Sequence, residues 1–183
     1  MNEWTNDRAK KEEESEALEY FLEAYEQLTG ESYTALQISE RPDFICGRRN
    51  GTEVGIEFSK VRRGHPNDRL WDRIVEGRDY MLPHVALDAI RTTLLSKEEK
   101  RKESSWQLPE RTILILELVD IPLNELLPWL KPDAFPDLAD TGFLEVWLVD
   151  YTGLEAYDNV EIFCLRPEQW RGYHRRSLQK PYG

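Results

Sequence analysis

The chain is short of the residues that staple small folds or hold zinc. Its 183 residues include two cysteines and three histidines. Cys46 and Cys164 lie in separate apolar stretches and form neither a disulfide framework nor a metal-ligand spacing, so both are expected as buried thiols. His65, His84 and His174 are scattered, which argues against a zinc centre. No apolar run approaches the length of a membrane span, and no basic-then-apolar leader is present, so the expectation is a soluble, unprocessed, cytoplasmic protein without membrane contact. A P-loop, a GxGxxG turn, a nucleophile elbow, internal repeats and low-complexity tracts are all missing, which disfavours nucleotide-hydrolysing and serine-hydrolase chemistry.

Positive charge is also in deficit. The formal net charge is -11, an awkward balance for a protein that grips phosphate backbones, because such affinity comes largely from Lys and Arg releasing counterions. The distribution softens that objection. Residues 1–40 carry eleven acids against three bases, whereas Arg41, Arg48, Arg49, Lys60, Arg62, Arg63, Arg69 and Arg73 crowd the next stretch. A basic, aromatic tail over 166–183 adds Arg171, Arg175, Arg176 and Lys180 among Trp170, Tyr173 and Tyr182, a mixture that can track phosphates and stack on bases.

The most informative segment is Arg41-Pro42-Asp43-Phe44-Ile45-Cys46, an Asn50-Gly51 turn, and Val54-Gly55-Ile56-Glu57-Phe58-Ser59-Lys60. Short β-branched and aromatic runs around Asn-Gly predict a β-hairpin. A two-residue Asn50-Gly51 loop would pair Asp43 with Phe58 and put the acids on opposite faces. A three-residue Arg49-Asn50-Gly51 loop, with Gly51 left-handed, pairs Asp43 directly with Glu57 and makes one acidic face. The second register is expected. Adjacent carboxylates repel unless neutralised, and a hard divalent cation such as Mg²⁺ or Mn²⁺ is a common neutraliser.

In these residues the chain resembles the PD-(D/E)XK nuclease superfamily, whose core runs helix, three antiparallel strands, helix, strand, with its acids on the second and third strands. Pro42-Asp43 matches the PD element and Glu57 the first acid of the second element. The resemblance covers residues 8–120 and implies an α+β, restriction endonuclease-like core that hydrolyses nucleic-acid phosphodiesters with Mg²⁺ or Mn²⁺ held by Asp43 and Glu57. A glutamate on the first helix often joins that metal site, which makes Glu14 a candidate. The sequence departs from the pattern where the family's catalytic lysine belongs, two residues after the acid: Ser59 stands there and cannot carry positive charge. Lys60 would reach the site only through a bulge after Glu57, and Lys97 and Lys100 on the later helix are the other candidates. Arg48, Arg49, Arg62 and Arg63 are the expected backbone-contacting residues.

Around this core, Leu18, Phe21, Tyr25 and Leu28 fall at helical spacing and predict a helix over 7–28 that Gly30 ends. Extending the stripe by one turn reaches Glu14. Residues 33–38 predict a first strand, and 62–81 a polar connector with a short helix. A second helix is expected over 83–103, followed by a buried central strand over 112–119. Residues 124–130 predict a short helical piece, and 141–165 two further strands. One domain over 1–183 accommodates all of this. The competing expectation keeps the fold without the chemistry, as an immunity-type module that binds a protein or nucleic acid through its acidic first helix. A homodimer fits the nuclease expectation, since enzymes cutting both strands often work in pairs.

Overall fold

The computed structural model describes residues 3–62, 81–154 and 160–175. It is an α+β fold: a mixed, open sheet in the order β1 to β7 with helices on both faces. The first helix, α1, spans Glu3–Thr29. Strands β1 (Tyr33–Ile38), β2 (Phe44–Arg48) and β3 (Glu53–Val61) form an antiparallel meander. Helix α2 (Pro83–Arg101) then crosses over, so that β4 (Thr112–Leu118) returns parallel to β3. The short α3 (Leu123–Leu126) follows, with β5 (Glu145–Asp150) parallel to β4, and β6 (Glu161–Arg166) and the two-residue β7 (His174–Arg175) closing the sheet antiparallel.

The apolar run of β4 does what its composition requires. Ile113 and Ile115 point into a core with Leu18, Phe21 and Tyr25 of α1. Leu114, Leu116 and Leu118 point into the opposite core with Ile90 and Leu94 of α2. A strand at the centre of the order is covered on both faces and has no need of alternation. Strand β1 is the reverse case: it lies at one edge, Tyr33 is its one buried residue, and Leu36 and Ile38 are exposed, so its alternating sequence does not correspond to one buried face. The expected connector over 62–81, with Arg63, Arg69 and Arg73, lies almost wholly outside the described residues, as do Arg176, Lys180 and Tyr182.

Two buried carboxylates are satisfied by near neighbours together with residues distant in sequence. Glu98 of α2 accepts two hydrogen bonds from Arg101, at 2.9 and 2.8 Å, and one each from Gly142 N (3.1 Å) and Thr141 Oγ1 (3.2 Å). Burial alone would raise this carboxyl, but those donors outweigh it and lower it to about 2. This lock ties the end of α2 to the turn before β5. On the α1 face, Glu145 accepts from Trp147 Nε1 at 2.8 Å and Tyr25 Oη at 3.1 Å. Here burial dominates and the carboxyl is raised. Cys46 and Cys164 are free, buried thiols.

Candidate functional site

The hairpin takes the three-residue loop. Phe44 pairs with Ile56, Ile45 with Gly55, Cys46 with Val54 and Gly47 with Glu53, a register that sets Asp43 opposite Glu57. Arg48 N donates to Thr52 O and Gly51 N to Arg48 O, both at 2.9 Å. Gly51 sits at φ +80°, the conformation that a side chain at this loop position would strain.

Each acid's carboxylate accepts a backbone N–H from the opposite strand segment. Asp43 N donates to Glu57 Oε2 at 3.2 Å, and Phe58 N donates to Asp43 Oδ2 at 2.9 Å. Their carboxylates thus take over hydrogen bonds at the end of the β2–β3 ladder, and both residues are buried, at 9% and 6% exposure. Close packing underneath fixes the entry to β2. A Cβ on Gly55 would stand 2.4 Å from Pro42 Cγ and 2.8 Å from Thr112 Oγ1, so only glycine lets the Pro42 ring lie against β3. The same loop is tied to the segment after α2, where Gln107 N donates to Arg41 O at 2.9 Å and Arg41 pairs with Glu103.

The remaining carboxylate oxygens face two ammonium groups from two different helices. Lys97 Nζ of α2 lies 2.5 Å from Glu57 Oε1 and 3.2 Å from Phe58 O. Lys11 Nζ of α1 lies 3.5 Å from Asp43 Oδ1, 3.6 Å from Glu14 Oε2 and 3.1 Å from Ser39 O. Burial, and then the negative charge of Asp43, raise the Glu57 carboxyl, while Lys97 pulls it back down. Glu14 therefore joins the acids through Lys11.

The other candidates lie elsewhere. No bulge follows Glu57, because β3 keeps an unbroken parallel register with β4 from Gly55 to Val61. Lys60 consequently points to the α1 face, where it pairs with Glu13 at 2.5 Å and stands 3.9 Å from Glu117. Lys100 is exposed on α2, off the buried stripe of Ala86, Ile90, Leu94, Glu98 and Arg101. Arg48 and Arg49 are at the hairpin tip, five and six residues from Asp43, about 17–20 Å along an extended strand. Arg48 donates to Tyr33 Oη at 2.9 Å and pairs with Glu31 at 3.7 Å, while Arg49 is exposed. Arg62, just past β3, lies near enough to Glu117 to lower that carboxyl, which burial raises. Arg63 is outside the described residues.

Lys11 was missed by sequence reasoning, although a signal for it exists. Lys11, Glu14, Leu18, Phe21 and Tyr25 continue one helical stripe, so whatever core face carries Phe21 also carries the Lys11 stem towards the sheet. In kind, the donors fit a hard cation: two carboxylates from adjacent strands, with water and phosphate oxygens to complete a shell. Among the described residues no group of three or more His, Cys, Asp or Glu side chains is arranged to hold a metal, and no helix is long and apolar enough to cross a membrane. Comparison with known proteins gives no match to any family model, curated protein or solved structure.

Proposed function

We propose that the chain is a metal-dependent nuclease of the PD-(D/E)XK type that hydrolyses nucleic-acid phosphodiesters in the cytoplasm. The observation that carries this reading is the opposition of Asp43 and Glu57 across β2 and β3 with the Lys97 ammonium on Glu57. The element order also supports it, since among the described residues a helix, three antiparallel strands, a helix and a further strand follow one another in the sequence the resemblance implies. A bound Mg²⁺ or Mn²⁺ would supply an activated water and neutralise charge on the scissile phosphate. Asp43 and Glu57 would hold it. Lys97 supplies from α2 the positive charge that Ser59 cannot, and orients the Glu57 carboxylate beside the reacting phosphate. Phe58 N and Asp43 N fix the two carboxylates so that little reorganisation is needed when charge develops.

One observation favours a second reading, a nuclease-fold binding module without activity. Both carboxylates already cap backbone N–H groups and face ammonium groups, an arrangement that is electrostatically complete without metal. The two readings separate in one experiment: calorimetric titration of the full chain with Mn²⁺, followed by cleavage assays on mixed DNA and RNA, for wild type and an Asp43→Asn/Glu57→Gln double variant. The nuclease reading expects binding and cleavage that the double variant loses. A folded wild type that neither binds Mn²⁺ nor cuts would leave the binding module.

A further inference from the structure

We infer that Lys11 is a built-in counter-cation of this site, and that a divalent cation reaches Asp43 only when the Lys11 ammonium withdraws. The inference rests on the carboxylate reading proposed above and adds a gate on the first helix. Three oxygens surround Lys11 Nζ: the carbonyl of Ser39 at 3.1 Å, Asp43 Oδ1 at 3.5 Å and Glu14 Oε2 at 3.6 Å. Two carboxylates and a carbonyl are the ligand types a hard cation takes, but these distances suit an ammonium, since metal–oxygen bonds are nearer 2.0–2.6 Å.

Charge gives the same answer. The Lys11 ammonium stands between the Asp43 and Glu14 carboxylates, and Lys97 stands on Glu57. Adding a divalent cation beside Lys11 would set like charges around one carboxylate oxygen, a repulsion that exchange for the Lys11 ammonium avoids. Lys97 is not the group that leaves, because its partners are Glu57 and Phe58 O rather than Asp43. Lys11 is also the more exposed of the two, with a side chain 25% exposed against 17% for Lys97.

The test is Mn²⁺ calorimetry on the full chain, comparing wild type, Lys11→Gln, Lys11→Met and Lys11→Gln/Asp43→Asn, each checked for folding by circular dichroism. Lys11→Gln and Lys11→Met are expected to bind at least about tenfold more tightly than wild type, within the usual range of coupling between competing ligands. The Asp43→Asn addition should abolish the gain. Equal affinity in wild type and both Lys11 variants would overturn the gate while leaving the carboxylate site intact. A gain that survives Asp43→Asn would overturn it too, by placing the ion elsewhere. Absence of binding in every folded protein would instead sink the metal reading itself, and the gate with it.

Discussion

Replacing Lys97 with methionine keeps most of the side-chain volume and removes one charge from a buried pair. In the folded wild type the Glu57 carboxylate has Lys97 Nζ at 2.5 Å and almost no solvent. Breaking such a pair ordinarily costs about 3–5 kcal/mol, because one charge is left buried alone. Glu57 has an escape, however: it can bind a proton. Relative to an ordinary carboxyl near 4.5, holding Glu57 neutral at pH 7 costs at most roughly 3 kcal/mol, at about 1.4 kcal/mol per pH unit. The sign follows from burial and Asp43, which raise this carboxyl in the fold. Stability is therefore fully present below about pH 4.5 and is lost as pH rises through the folded value. Losing Lys97 moves that folded value higher and extends the loss. Urea denaturation should show Lys97→Met destabilised by up to about 3 kcal/mol at pH 7 and by less than about 1 kcal/mol at pH 5. Adding Glu57→Gln should restore most of the difference at pH 7. A penalty that stays constant between pH 5 and pH 7, or that Glu57→Gln fails to relieve, would refute the assignment of Lys97 to Glu57.

Three further outcomes are expected. Gly55→Ala should cost about 1–3 kcal/mol of stability by forcing the Pro42 ring off β3, and amide exchange at Asp43 and Phe58 should quicken more than exchange in α2. Glu98→Gln should remove roughly 3 kcal/mol at neutral pH. Because the Glu98 carboxyl is lowered to about 2, wild type should lose that advantage as pH falls from about 4.5 towards 2, and an acid titration of thermal stability would show the two curves converging there. Glu145→Gln keeps an acceptor for Trp147 and a group for Tyr25 while removing a charge that burial disfavours. Thermal unfolding should find it as stable as wild type or more so at pH 7, with any gain vanishing below about pH 4.5.

Local rules carried the hairpin. Asn50-Gly51 turn chemistry predicts the hairpin but admits two registers; the three-residue loop was expected because it brings the two acids together, and the structure takes it, with Gly51 left-handed and Asp43 opposite Glu57. The stripe on α1, the double-sided apolar run of β4 and the strands after residue 141 were legible for the same reason: periodicity reports burial directly. What was not legible depends on how a helix is rotated against a strand. Lys97 and Lys100 are one turn apart and alike in composition, and only the packing of Ile90 and Leu94 turns Lys97 towards Glu57. Lys60, adjacent to the acid's strand positions, is lost to the other face by the simple alternation of a strand that does not bulge. The roles of Glu98 and Glu145 were not legible because each also has a partner remote in sequence: Glu98, beside its helix neighbour Arg101, accepts from Thr141 and Gly142, and Glu145 accepts from Tyr25, 120 residues away.

The aromatic cluster on the α1 face has a consequence for the order in which the chain is made. Tyr25 of the first helix packs against Trp147 at 5.4 Å and against Trp170 at 6.3 Å, and Trp147 and Trp170 are 6.5 Å apart. The 27-residue helix is translated more than a hundred residues before Trp147 and Trp170, which cover it. At about 5–20 residues per second this leaves Phe21 and Tyr25 without their final neighbours for several seconds to roughly half a minute. The dense glutamates of that helix give the waiting segment a repulsive, solvated coat, so its charge serves the nascent chain before it serves the finished fold.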